Sequence, residues 1–325
     1  MRVFKKAVQV LLLLGLMVFP FVVYFNAQAL TDWWQLRGYT PPPAVVNLAN
    51  QDSLTAYARH VFYVNQPNIE TNAAQFRTDC NQSEKTIVLG CYHGNQAGIF
   101  VFNVQDPRLS GIQQVTAAHE MLHAAYDRLS SKDRNYVNGL LEDYYRTQHD
   151  QRIIDTVNLY KQSEPNDVVN EMHSIFGTEI AKLPAPLEQY YSRYFTNRTA
   201  VANFASSYQS EFTSREDRIK ADKVKLDDMK VTITSEEAQL QNQYDKINSD
   251  RAHLDSLRSS GQIDQYNAGV SGFNAEVSSY NAGVAHLRSD IAAYNQLVEE
   301  YNSIASELAG LEKAIDTRLP TQAAQ

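Results

Sequence analysis

Three shortages narrow the reading of this chain. It has only two cysteines, Cys80 and Cys91. As metal ligands they would need two more partners, and only His93 is near them in sequence, so one disulfide closing a hairpin-sized loop is the simpler expectation. Beyond the first six residues it has no Lys/Arg cluster, and its net charge is −8, which argues against nucleic acid as a partner. From Ala7 to Phe25, AVQVLLLLGLMVFPFVVYF, it has no charge at all. About 20 apolar residues cross a bilayer as a helix, whereas the core of a cleaved signal is shorter. Residues 1–25 are therefore expected to form a signal anchor. Arg2, Lys5 and Lys6 would keep the N-terminus cytoplasmic and send the rest outside. Trp33 and Trp34 follow where an interfacial aromatic belt would lie. The alternative is a secreted chain cleaved after Ala29, because Ala27-Gln28-Ala29 has the small-x-small form of a cleavage site.

What is present divides into four stretches. Residues 26–50 contain Pro41-Pro42-Pro43 and read as a stiff tether. Residues 51–204 have mixed, compact composition. Within them QDSLTAYARHVFYV suggests a short helix entering a strand. KTIVLGCY and GIFVFNV, separated by HGNQA, suggest a hairpin. VTAAHEMLHAAYDRL, DRNYVNGLLEDYYRT and NDVVNEMHSIFGTEI read as helices, the last with Asn166 or Asp167 as its cap.

Residues 205–319 change character, and 320–325 are a short tail. Phe212, Ile219, Leu226, Ile233, Leu240, Ile247 and Leu254 fall every seventh residue. After Gly261, so do Tyr266, Phe273, Tyr280, Leu287, Tyr294, Tyr301 and Leu308, with Val270, Val277, Val284, Ile291 and Val298 as a second stripe. This predicts an antiparallel coiled-coil hairpin turning at RSSGQID. The first arm's second stripe is poor (Asp222, Glu236, Asp250), and the second arm carries Gly269, Gly272 and Gly283. The Tyr-Asn and Phe-Asn pairs read first as core aromatics beside solvated amides, and the hairpin as a possible surface for a protein partner.

The chemistry concentrates in AAHEMLHAAY, residues 117–126. On a helix, His119 and His123 stand one turn apart and can aim two imidazoles at one point. Neutral imidazole nitrogens suit Zn²⁺. Glu120 lies about 100° round the helix, where its carboxylate reaches a water at the ion rather than the ion. The ion acidifies the water and the carboxylate takes its proton. Apolar flanks on most sides imply burial, and buried histidines beside a buried Glu need partners that a metal supplies. A third ligand must come from downstream. Glu171 in NEMHS is the first choice, with Glu142 and His173 as alternatives.

HExxH followed by a helix carrying Asn170, Glu171 and Ser174 resembles the gluzincin metallopeptidases, over about residues 85–200. Their alternative Glu-x-x-x-Asp form is not met, since Ile175 stands four residues after Glu171. The resemblance implies an α+β zincin-like fold, a small, mostly antiparallel sheet over the HExxH helix. It also implies an edge strand for an extended peptide, for which GIFVFNV would serve, and an oxyanion stabiliser. Tyr190, Tyr191, Arg193, Tyr194 and Arg198 are the residue types available for that last role, without a choice among them.

The reading is thus a membrane-anchored, extracytoplasmic zinc endopeptidase acting on peptide or protein substrates. Glu120 is its general base, and His119, His123 and Glu171 are its metal ligands. The alternative is an adhesive or structural surface protein in which the coiled coil is the working part and the metal site is vestigial or stabilising.

Overall fold

The computed structural model describes residues 23, 26–80 and 88–318. The apolar run expected to anchor the chain lies outside them, apart from Val23. Among the described residues no helix is long and apolar enough to cross a membrane. The described residues are mostly helical with one small sheet. The chain forms two compact units, one running to Glu211 and resuming at Glu312, the other spanning Phe212–Leu311.

The first unit is built on α1 (Ala27–Leu36), α2 (Pro43–Gln51), α3 (Ala56–Val64), β1 (Asn68–Glu70), α4 (Ala73–Asp79), β2 (Gly90–His93) and β3 (Gly98–Phe102). Helices α5 (Ile112–Asp127), α6 (Ser131–Arg146), α7 (Gln151–Ser163), α8 (Val168–Glu179) and α9 (Ala185–Tyr191) follow, then the start of α10 (Arg198–Ser259). The stretch expected to be a tether holds α1 and α2 instead. Pro43 sits at the start of α2, where a missing N–H costs nothing and the fixed φ favours helix. Val45, Leu48 and Ala49 of α2 then enter the main core.

HVFYV is also helical rather than a strand. Thr55 caps α3 by accepting the Ala58 N–H at 3.1 Å, and Ala58, Val61 and Phe62 bury one helical face. The strand comes only after the turn at Asn65–Gln66, as the short β1.

β2 and β3 form the expected antiparallel hairpin, pairing Cys91 with Phe100 and Tyr92 with Ile99. The sheet is mixed, however, because β1 pairs with β3 in parallel. The order β1-β3-β2 puts GIFVFNV in the centre and leaves β2 on the edge. One face, with Ile99 and Val101, joins the main core. On the other, Phe76 and the Cys80–Cys91 disulfide pack with Phe100 and Phe102.

α5 lies at the centre of the core. Eleven of its sixteen residues are buried, among them Ala117, Ala118, Ala124 and Ala125, whose small side chains let neighbours approach. α8 crosses it closely: a Cβ at Gly177 would fall 2.5 Å from Leu122 Cδ1.

In the second unit α10 and α11 (Ile263–Ile315) run antiparallel, joined through Gly261 at φ +76°. Arg215 meets Glu307, and Tyr244 stacks near Tyr280. Two of the three glycines noted in the second arm have a packing role here, and Gly272 faces open space. A Cβ on Gly269 or Gly283 would fall 2.8 Å from Leu254 or Leu240, so the leucines fill these gaps. In the weak stripe of the first arm, Asp222 accepts from Arg218 at 2.8 Å and Glu236 pairs with His286 at 2.9 Å.

α1 is fixed to the body by the buried carboxylate of Asp32 and by Gln35, which donates to the Gln96 carbonyl and accepts from Gln66. Asp32 accepts from Arg128 at 2.9 and 2.7 Å, from Gln28 and Gln96, and meets His60 at 2.7 Å. Burial pushes its pKa up, but hydrogen bonds from Arg128, Gln28 and His60 outweigh this and hold it far below the ordinary value. A lowered carboxylate stabilises the fold above its ordinary pKa and loses that contribution as pH falls through the lowered value. The attachment therefore survives mild acid. Asp32→Ala strands a buried guanidinium, at a cost of about 3–5 kcal/mol. Amide exchange across residues 27–37 should accelerate markedly in this variant, and unchanged exchange would refute the role assigned to Asp32.

Candidate metal centre

α5 sets His119 and His123 edge to face, with ring centroids 4.7 Å apart. α8 brings Glu171 against them, one oxygen 3.5 Å from His119 Nε2 and the other 3.4 Å from His123 Nε2. The three ligand atoms lie within 4.8 Å of one another. All three side chains are mostly enclosed, and Glu171 Oε2 is buried with no hydrogen-bond partner. A buried orphan carboxylate oxygen is costly in protein alone. A divalent cation between the three groups removes that cost. Two imidazoles and one carboxylate are a donor set that zinc accepts, with a fourth position to spare. The residues therefore fit the ion.

Burial raises the Glu171 pKa, but His123 and His119, with a hydrogen bond from Tyr160, outweigh it and hold the carboxyl below its usual range. It is thus kept in the charged form that ligates metal.

Glu120 points to the same cavity, of about 260 Å³, which His119, His123 and Glu171 also line. It is buried but stands outside the ligand group. The opposite wall is the edge strand β2. At Gly90 a Cβ would lie 2.7 Å from Glu120 Oε1 and 2.5 Å from Thr116 Cγ2. Only glycine lets the strand pass so close to that carboxylate. The remaining rim includes Tyr92, Asp127, Glu164, Asp167 and Asn170. Asp167 stands at the N-cap of α8, yet its side chain makes no cap bond.

The alternative third ligands are placed elsewhere. Glu142 is exposed on α6. His173 is fully buried, its Nε2 2.9 Å from Tyr190 Oη. Burial, with His123 and His119 nearby, pushes its imidazole down to about 3, so it stays neutral. The residues considered for the oxyanion serve packing. Tyr191 donates to the His173 carbonyl at 2.6 Å and Tyr190 meets Tyr194 at 3.1 Å. Arg193 lies over Tyr57, and buried Arg198 donates to the carbonyls of Ile180 and Ala181. None of them lines the cavity.

Gly90 and Tyr160 sit in no recognisable motif. A glycine inside an apolar β-run is the one available signal, since it marks close approach of another group. A second cluster, Glu236, His286 and Asp290, lies on the hairpin. His286 is 67% exposed there, so its contacts are those of a surface ion pair.

Comparison of the chain with protein-family models, curated proteins and solved structures finds no match to any of them. Protein stripped with a chelator and titrated with zinc should take up one ion per chain. His123→Ala and Glu171→Ala should each abolish tight uptake, while Glu142→Ala should leave it intact. Unchanged uptake in Glu171→Ala would rule out the triad.

Proposed function

We propose that the protein is a zinc-dependent endopeptidase of gluzincin type, held to a membrane by residues 7–25 with its site on the extracytoplasmic side. The observation that carries this is the position of Glu120. Its carboxylate shares one cavity with the three-ligand cluster and lies against Gly90 of the edge strand β2. A purely structural metal site needs no such carboxylate.

The roles follow from the geometry. Zinc held by His119, His123 and Glu171 would polarise the scissile carbonyl and acidify a water. Glu120 takes the proton as the water attacks and delivers it to the departing amine. Leu89 accepts from the Phe102 N–H at 2.7 Å, so antiparallel alternation turns the N–H and C=O of Gly90 and Tyr92 away from β3. An extended substrate adds there as a further strand, its scissile bond beside the cavity. Asn170, which lines the cavity, supplies an uncharged donor for the developing oxyanion.

Hydrolysis of an unstructured protein should fall roughly 100- to 10,000-fold in Glu120→Gln, with zinc content unchanged. Equal turnover in the two proteins would sink the peptidase reading. Gly90→Ala, which displaces the same carboxylate without touching a ligand, should also retain zinc. It should lose about 100-fold in rate, the scale expected from an ångström of misplacement.

A further inference from the structure

We propose that α1 is a membrane-interface helix, lying in the headgroup layer with Trp33 and Trp34 immersed, while its other side is fixed to the metal-binding helix. This rests on the anchored reading of residues 7–25. Leu30 is 48% exposed, Trp33 61% and Trp34 68%. Their spacing places them on one face of the helix. Asp32, roughly 150° away at 100° per residue, is 6% exposed and faces the body. The helix therefore buries its acid and presents its tryptophans, the reverse of a helix whose outer face meets only water.

The occupant of that face follows from what adjoins it. The uncharged apolar run ends at Phe25, and α1 begins at Ala27. A bilayer crossed by that run would lie beside the first turns of α1. Tryptophan concentrates at the headgroup level, where its ring is apolar and its N–H finds water. Arg37 adds a cation 5.4 Å from the centre of the Trp33 ring, suited to lipid phosphate. Trp33 and Trp34 are the only tryptophans in the chain.

The attachment makes this a positioning device. Arg128, which holds Asp32, is five residues beyond His123, about 7.5 Å along the helix at 1.5 Å per residue. The height of the metal centre above the lipid then follows from the attachment of α1 through Asp32 and Gln35. A cavity of about 380 Å³ is bounded by Gln28 and Thr31 of α1 and by Tyr92 and Asp127, which also line the metal cavity. The groove along β2 thus continues to the interface helix.

The test uses the full chain in vesicles of phosphatidylcholine and phosphatidylglycerol, read by intrinsic fluorescence. Emission should be blue-shifted, shielded from aqueous iodide, and quenched more by bromines placed shallow in the acyl chains than by deep ones. Trp33→Phe and Trp34→Phe, each retaining one reporter, should both keep this signature. A chain that floats with the vesicles, yet emits as in water and is quenched by iodide alone, would overturn the proposal and leave the anchor standing. A chain that does not float with them would overturn the anchor and the proposal together.

Discussion

Everything at the candidate site depends on how closely α8 crosses α5. Two histidines one turn apart define a direction, not a binding site. The third ligand must arrive from another helix, at a distance set by backbone separation. Gly177 against Leu122 sets that separation, because any side chain at 177 would meet Leu122 Cδ1. The alanines of α5 keep the remaining helix surface shallow. The contact belongs to the apolar core, yet it fixes where a carboxylate stands. A shift of even an ångström would take Glu171 out of the range in which one ion meets all three groups. Core packing and metal chemistry are here one constraint.

The chemistry-bearing part of this arrangement was legible in the sequence, because it is local. HEMLH carries its own geometry once it is helical, and NEMHS lies on a helix whose apolar pattern is plain. The hairpin of β2 and β3 and the Cys80–Cys91 bond follow from short-range signals. What was not legible is non-local. β1 is three residues long, too short for a pattern, yet its pairing with β3 decides which strand is the edge. Pro41-Pro42-Pro43 looked like a tether because prolines stop helices from within, whereas Pro43 starts one. The tyrosines of LEQYYSRYF suited catalysis in residue type, but burial around His173 uses them for packing.

The two regions outside the core of the first unit take different lessons from composition. The heptads of the C-terminal helices proved compatible with glycine, because leucines of the facing helix occupy the vacated space. The charged residues in the weak stripe are answered by ion pairs and hydrogen bonds. At the other end, the Asp32 carboxylate links α1 to the residue that follows the helix of the candidate metal centre. A helix that looked like a spacer is thereby fixed with respect to the chemistry.

The central claim is that His119, His123 and Glu171 hold one ion. X-ray absorption at the zinc edge of the zinc-loaded full chain addresses it without reference to activity. The spectrum should show a first shell of nitrogen and oxygen at about 2.0–2.2 Å, with the multiple-scattering signature of two imidazoles, reduced to one imidazole in His123→Ala. A shell of oxygen alone, or one unchanged by that substitution, would contradict the claim.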